Sequence, residues 1–323
     1  MRPTARSEIA DVGGADISPS ARKAERGDEW LRRLTGRFGT AHVGIGLMVA
    51  SGGALVVGDA TAKWLAATYP VGEIISVRGF IIMALLAALH IRAPEQLLPR
   101  RLGPQVLRAL FFTGATFLMI WSVKLLPLAT VSSIVFAAPL IMTMLAPALL
   151  HERVGLHRWI ATIVGFLGVA IIIDPRSGGD ALVMLVPVGA ALFAALRDLS
   201  TRYIARGESA AAVIFVSIAF TAIAGLATLP FGWVIPTPFD GLLFLFLAGV
   251  YCLAYAMQVF AFRVAEAGLL APFKYTQLVW ATVIGFLVFG HMPAAAVFVG
   301  AAIVIASGIY VWRTETRTLP ATS

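Results

Sequence analysis

The sequence predicts an all-α integral membrane protein whose ten transmembrane helices form two inverted five-helix repeats. Composition, the spacing of apolar runs and an internal repeat carry this prediction. Of the 323 residues, 59% are hydrophobic and only 13% are charged, and the mean hydropathy is +0.88. A soluble domain needs more charge on its surface, so the composition indicates the membrane class.

Apolar runs divide the chain into helices. A helix that crosses the hydrocarbon layer needs about 20 apolar residues. Runs near this length, bounded by charges, prolines and glycines, occupy residues 43 to 67, 72 to 90, 107 to 126, 129 to 149, 156 to 173, 182 to 204, 211 to 229, 241 to 262, 268 to 289 and 294 to 312. The connections between them are short, which predicts a single membrane domain.

The two ends of the chain are predicted to be cytoplasmic tails, residues 1 to 41 and 313 to 323. The first tail mixes eight basic with six acidic side chains and has no apolar core, so it is not a cleavable signal peptide. A solvated, largely disordered tail is expected. Residues 29 to 39 could instead form a short basic helix on the membrane surface.

The basic residues predict the orientation in a bacterial inner membrane. With both termini in the cytoplasm, nineteen of the 25 lysines and arginines lie on the inner side and three on the outer side. Cytoplasmic loops retain basic residues in this way. The net charge of +8 therefore reflects topology, and the expected partners are the lipid bilayer and a small-molecule substrate rather than nucleic acid.

A repeat relates residues 43 to 173 to residues 182 to 312. A shift of 139 residues places GDATAKWLA, residues 58 to 66, over RDLSTRYIA, residues 197 to 205. The charged and aromatic positions that then coincide are Asp59 with Asp198, Lys63 with Arg202, Trp64 with Tyr203, and Lys124 with Arg263. Because each unit has an odd number of helices, the two copies have opposite orientations, as in many secondary transporters.

The charges of this repeat are candidate gates. Asp59 and Lys63 are four residues apart and could pair on one helical face, which would reduce the cost of about 2.5 to 3.5 kcal/mol for a charge at a helix centre. Asp198 and Arg202 are the equivalent pair, with Arg197 beside them. Anchoring at the headgroups is the alternative role. A carboxylate in a cavity can also carry a proton, which makes Asp59 and Asp198 candidates for proton coupling.

Further polar side chains lie inside predicted helices. Arg78 is about seven residues inside the second run, where an arginine faces the bundle interior; it could pair with Asp59 or bind an anionic group of a substrate. Two helical stripes could line a cavity for a planar solute, or could serve packing and helix contacts instead. Their members are Tyr251, Tyr255 and Gln258 in the eighth run, and Lys274, Gln277 and Trp280 in the ninth.

The repeated unit resembles the EamA-type unit of the drug/metabolite transporter superfamily. The residues that carry this resemblance are Ala129, Pro139, Glu152, Trp159, Gly165 and Gly168. It covers about residues 43 to 312 and implies a ten-helix secondary transporter of small metabolites with a cavity between the halves. The second half departs from the pattern, because His291 stands where the family usually has a glutamate.

The resemblance also suggests the cargo. Asp59, Lys63 and Arg78, together with the ninth run, are most similar to members that carry vitamins or nucleoside-like metabolites. Riboflavin uptake is the first expectation and S-adenosylmethionine uptake is the alternative. Export of amino acids, metallophores or other metabolites stays open.

Other classes of protein are weaker interpretations. The sequence has no G-x-x-x-x-G-K-[ST] loop for nucleotide phosphates, so transport is facilitated, driven by exchange or coupled to an ion, and no cofactor is expected. The single cysteine, Cys252, excludes a disulfide framework and argues against zinc. His151 and His157 lack a third ligand, which disfavours a membrane enzyme with a metal site. A channel or a sensor is a further alternative.

Overall fold

The computed structural model describes residues 40 to 91, 93 to 99, 101 to 150, 155 to 173, 181 to 204, 210 to 265 and 267 to 318. Every regular element within these residues is a helix. The possible surface helix over residues 29 to 39 and Glu152 lie outside them.

The described residues of the first half form six α-helices. They are α1 Thr40–Leu65, α2 Val71–Leu89, α3 Leu102–Leu125, α4 Leu128–Val135, α5 Ala138–Leu150 and α6 Leu156–Ile172. Helix α1 begins at Thr40, three residues before its predicted run, and α3 begins five residues before its predicted run. The early start of α3 covers residues 102 to 106 and includes Pro104 and Gln105, which are compatible with the first turns of a helix, where proline is tolerated.

Six more α-helices lie in the part of the second half that the structure describes. They are α7 Ala181–Ile204, α8 Ala210–Leu226, α9 Pro238–Val264, α10 Ala267–Leu270, α11 Thr276–Phe289 and α12 Ala295–Thr318. The Thr237 side chain caps α9 by accepting a hydrogen bond of 3.2 Å from the backbone N–H of Asp240, as threonine does at helix starts. Helix α12 continues to Thr318, beyond the predicted tenth run at residue 312, while its apolar part ends at Val311.

Seven helical segments are long and apolar enough to cross a membrane. Three shorter apolar helices occupy the places of the predicted fifth, seventh and tenth runs: Leu156–Ile172, Ala211–Leu226 and Ala295–Val311. The described residues thus form an all-helical, multi-pass membrane protein, which confirms the predicted class.

The fourth and ninth predicted helices are both interrupted. The fourth breaks into α4 and α5 at Phe136 and Ala137. Pro139 follows directly, and it lacks a backbone N–H and disfavours a helical residue before it. The ninth consists of α10, the 3₁₀ turn Ala271–Tyr275 and α11. A candidate membrane span lies at each of these two places, but neither is one continuous helix as expected.

The two halves pack against each other in a reciprocal pattern. Helix α1 of the first half packs along α9 of the second, and α7 of the second half packs along α3 of the first. Helices α2 and α8 pair, as do α6 and α12. A shift of 139 residues exchanges the partners in each case, so the pattern is unchanged when the halves are swapped.

Small residues allow the pair α6 and α12 to approach closely. A Cβ atom built on Gly168 would lie 2.8 Å from the carbonyl oxygen of Gly300. Glycines at membrane helix crossings permit such backbone contact. This contact gives a structural reason for Gly168, one of the residues that carry the family resemblance.

Candidate functional site

A cavity of about 260 Å³ lies between the halves, bounded by α1, α2, α3, α4, α7, α9 and α11. This volume is close to the lower end of the range of about 300 to 1,000 Å³ for ligand pockets. The predicted site residues that line it are Asp59, Arg78, Arg197, Tyr251, Tyr255, Gln258 and Gln277. Most other lining residues are apolar, including Phe112, Met119 and Ile120, so a few polar groups stand in an apolar wall.

Asp59 is bound to α9 through a tyrosine. Its carboxylate is 6% exposed, and its Oδ1 accepts a hydrogen bond of 2.5 Å from the Tyr251 hydroxyl. The neighbouring Gly58 makes room for this contact, because a Cβ atom there would lie 2.9 Å from the Tyr251 ring. The sequence therefore places a residue without a side chain where the tyrosine ring lies flat against α1.

Lys63 contacts the end of α3 and does not line the cavity. Its Nζ donates hydrogen bonds of 2.6 Å to the carbonyl of Val123 and 2.7 Å to that of Leu126. The last carbonyls of a helix have no partner within the helix, and a lysine can satisfy them. The predicted ion pair of Lys63 with Asp59 is therefore wrong: in the described part of the chain each side chain has found another partner.

Arg78 faces the same tyrosine from a different side. It is 9% exposed, and its guanidinium carbon lies 4.5 Å from the centroid of the Tyr251 ring, within the range of a cation–π contact. Its Nε has no hydrogen-bond partner among the described residues, and it forms no ion pair with Asp59. The aspartate contacts the tyrosine hydroxyl and the arginine covers the ring.

Arg197 pairs with its own neighbour in the chain. Its Nε and Nη2 both lie 2.8 Å from Oδ1 of Asp198. The two side chains are 30% and 51% exposed. Arg197 lines the cavity while Asp198 lies outside its lining. The Arg202 side chain falls outside the described residues, so its predicted pairing with Asp198 stays a prediction.

The two predicted stripes behave differently. Tyr251 and Tyr255 stack with their ring centroids 6.2 Å apart and an interplanar angle of 25°, and Gln258 continues this stripe along the cavity.

The stripe on the ninth predicted helix is divided. Gln277 lines the cavity. Lys274 lies in the 3₁₀ turn with its Nζ 5.5 Å from the centroid of the Phe262 ring. Trp280 donates from its indole nitrogen to the carbonyl of Val49 at 3.1 Å. The cavity lining thus includes Gln277 but neither Lys274 nor Trp280. The 3₁₀ turn separates Lys274 from Gln277, because it changes the rotation between successive side chains. The bond from Trp280 to Val49 is a contact between helices, the alternative role for this stripe.

Arg108 connects three helices, and the sequence analysis did not identify it as a site residue. Its Nε donates to the Thr201 hydroxyl at 2.9 Å, and its Nη1 donates to the Ser217 hydroxyl at 2.5 Å. It joins α3, α7 and α8 beside the cavity without lining it. Since its partners lie about a hundred residues away in sequence, no local pattern could have found them.

The connection before α9 is attached to the start of α2. The Glu73 carboxylate is 1% exposed and accepts a hydrogen bond of 3.0 Å from the backbone N–H of Val234. The Tyr69 hydroxyl donates to the Asp240 carboxylate at 2.8 Å. Burial, with the adjacent Asp240 carboxylate, raises the pKa of Tyr69, so this hydroxyl keeps its proton and remains a donor.

The functional groups that line the cavity suit an organic solute. The cavity presents one carboxylate, two guanidinium groups, two tyrosines and two amides. Among the described residues, no group of three histidine, cysteine or acidic side chains could hold a metal ion.

Several known proteins are similar to this chain in sequence. Residues 42 to 174 match the EamA-like transporter family. The chain is 31% identical over 240 residues to the riboflavin transporter of Vibrio cholerae serotype O1, covering 73% of this chain and 80% of that relative. It is 26% identical over 281 residues to the S-adenosylmethionine uptake transporter of Rickettsia bellii, covering 87% and 97%.

A solved structure shares the fold. A protein of known crystal structure superposes with a TM-score of 0.59 at 16% sequence identity, covering 86% of this chain and 98% of the other. With the family match and the Vibrio relative, these findings identify the chain: it belongs to the EamA-like transporter family.

Proposed function

We propose that this protein is a bacterial inner-membrane carrier that takes up a small metabolite, with riboflavin as the first candidate. The cavity between the halves carries the proposal, because it combines stacked aromatic rings with a few polar groups. Two related proteins, from V. cholerae and from Rhizobium johnstonii, are 31% and 30% identical to this chain and are named riboflavin transporters. Since the relatives are named as transporters, a carrier is favoured over an enzyme.

The cavity walls suit a flat ring. Tyr251 and Tyr255 present two nearly parallel rings, and aromatic side chains favour offset stacking on planar groups. The amides of Gln258 and Gln277 lie on the same cavity and can each donate and accept hydrogen bonds. An isoalloxazine ring has both an apolar face and a polar edge, which these groups complement.

S-adenosylmethionine is the second candidate, and one observation favours it. Asp59 and Arg78 line one cavity without pairing with each other. A solute that carries a sulfonium, an ammonium and a carboxylate would supply opposite charges to both. Rickettsia relatives at 26% identity are named S-adenosylmethionine uptake transporters.

The ten-span, inverted-repeat architecture with both termini in the cytoplasm is part of the proposal. The reciprocal packing of α1 with α9 and of α3 with α7 supports it. So do interrupted helices at corresponding positions of the two halves, which mark the binding sites of many secondary transporters. Arg197 and Asp198, near the predicted cytoplasmic side, are partly exposed. Lys63, near the predicted outer side, is bound to carbonyls at the end of α3. This difference supports a cavity that opens to the cytoplasm.

Proton coupling through Asp59 is the proposed energy source. Asp59 is buried on the cavity wall and has only the Tyr251 hydroxyl as hydrogen-bond partner among the described residues. Asp198 is half-exposed and paired with Arg197, so it is the matched control. The dependence of uptake on an imposed pH gradient is the measurement. Asp59→Asn should abolish that dependence and Asp198→Asn should retain it; a full pH response in Asp59→Asn would exclude this role.

Uptake by a riboflavin-auxotrophic bacterium tests the function. Cells that express the chain should show saturable riboflavin entry at micromolar vitamin, and S-adenosylmethionine entry is measured in parallel. Saturable entry of riboflavin supports the first candidate, and entry of S-adenosylmethionine alone supports the second. No entry of either compound, with the protein located in the membrane, contradicts both.

A further inference from the structure

Arg78 brings unused hydrogen-bond donors to the cavity. A guanidinium group has five N–H donors and no acceptor. Arg78 is 9% exposed, and its Nε has no partner among the described residues. Buried donors without acceptors are costly and rare in native structures. The Arg78 Nε–H is therefore buried at a position where no described residue accepts its hydrogen bond.

The surroundings of Arg78 do not supply the missing acceptors. The contact with Tyr251 is with the ring face at 4.5 Å, which leaves the edges of the guanidinium plane open. A void of about 10 Å³ beside it, lined by Arg78, Thr221 and Tyr251 among others, has room for at most one water molecule. The larger space in front of Arg78 is the cavity of about 260 Å³.

Arg108 shows that the fold can satisfy a half-buried arginine between helices. It also lies inside the helix bundle, on α3. Its Nε and Nη1 donate to the hydroxyls of Thr201 and Ser217, and Nη1 also approaches the carbonyl of Val213 at 3.5 Å. Acceptors are thus available between these helices where an arginine has a structural role. The open donors of Arg78 are specific to the cavity.

We propose that Arg78 is the cargo subsite for a planar pair of acceptor atoms. A guanidinium fork binds two coplanar acceptors through parallel hydrogen bonds, and the contact with the Tyr251 ring holds the group beside the cavity before the cargo arrives. A carboxylate offers such a pair, and so does the N1 and C2-carbonyl edge of a flavin ring. This inference rests on the proposed transport cavity and names the group that the cavity selects.

Matched ligand pairs test the subsite on the full chain in lipid nanodiscs. Dissociation constants are measured for riboflavin against 1-deazariboflavin, which lacks the N1 acceptor, and for S-adenosylmethionine against its decarboxylated form. In the pair that the protein binds, the complete ligand should bind about 10- to 100-fold more tightly, the range for hydrogen bonds to a charged group. The pair that shows the preference identifies the source of the acceptors.

Variants of Arg78 connect the preference to this residue. Arg78→Gln should bring the ratio of the two dissociation constants to about one, and Arg78→Lys should keep part of it. Lys124→Gln removes an exposed charge on α3 and should leave the ratio unchanged. If Arg78→Gln weakens both ligands of a pair equally, or if the wild-type ratio is already near one, Arg78 does not contact the cargo acceptors.

Benzoate separates failure of the subsite from failure of the proposed function. If the wild type binds neither riboflavin nor S-adenosylmethionine, the proposed function fails. Binding of benzoate, a simple planar carboxylate, that is lost in Arg78→Gln and kept in Lys124→Gln would then still support the subsite. Benzoate binding that is absent or independent of Arg78 would overturn it in that case.

Discussion

The charged groups at the junction of α1 and α2 and those in the cavity differ in their partners. Near this junction, Lys63 donates to two carbonyls at the end of α3 and Glu73 accepts from Val234. In the cavity, Arg78 has an unpartnered Nε and Asp59 has a single hydroxyl donor among the described residues. The difference separates charged groups that stabilise helix packing, such as Lys63, from groups that keep hydrogen-bonding capacity facing the cavity, such as Arg78.

The largest effect in this comparison is expected from Gly58→Ala. The added methyl group would lie 2.9 Å from the Tyr251 ring, so the ring must move away from α1 and both Asp59 and Arg78 lose their common support. Riboflavin or S-adenosylmethionine uptake should fall at least about tenfold, as small displacements in a binding site do. Gly249→Ala, on α9 two residues before Tyr251 and with nothing within 4 Å of the new atom, is the control and should transport normally. Equal uptake by the two variants would contradict the packing described for Tyr251.

Tyr251→Phe separates the ring from the hydroxyl. The ring under Arg78 remains, while Asp59 loses its donor at 2.5 Å. An unsatisfied buried carboxylate costs about 1 to 3 kcal/mol, so the half-saturation concentration for uptake should rise several-fold, less than for Gly58→Ala. Transport kinetics at matched protein levels provide the measurement. Unchanged kinetics would mean that the hydroxyl has no role in the cavity.

Lys63→Ala should act on stability rather than on binding. It removes two hydrogen bonds from a charged donor to Val123 and Leu126, which lowers the free energy of unfolding by about 1 to 3 kcal/mol. Thermal unfolding in detergent measures this loss. The dissociation constant of the cargo should stay within about twofold; a larger change in affinity than in stability would place Lys63 with the cavity group.

Trp280→Phe should have the smallest effect. Trp280 is 37% exposed and loses one hydrogen bond to Val49, worth about 1 kcal/mol or less. Uptake should be unchanged, and the unfolding temperature should decrease slightly. A strong loss of uptake would restore the prediction that this side chain lines the cavity.

Composition and apolar spacing were enough to predict the helical membrane class, because both follow from the solvent that surrounds the chain. The charges inside apolar runs also predicted that Asp59, Arg78 and Arg197 line a cavity, because a charge within a membrane segment is costly and faces the bundle interior or a cavity. Their partners could not be predicted in the same way. The carbonyls that bind Lys63 lie about sixty residues away in the sequence. The pairing rule for residues four apart applies within one helix, so it could not identify them.

The helix interruptions show the same limit. Pro139 was visible in the sequence, but a proline can kink, end or simply begin a helix. The 3₁₀ turn that separates Lys274 from Gln277 has no strong local signal beyond Pro272. Packing of the ninth segment against α1, including the bond from Trp280 to Val49, decides which side chains reach the cavity.

Riboflavin and S-adenosylmethionine entry into cells that express wild type, Arg78→Gln or Lys124→Gln tests the central claim most directly. The claim is that the cavity between the halves holds the cargo through charges the protein leaves unpaired. Saturable entry with the wild type and with Lys124→Gln, lost at least about tenfold with Arg78→Gln at equal membrane levels, is the predicted result. Saturable entry that is undiminished in Arg78→Gln would contradict it.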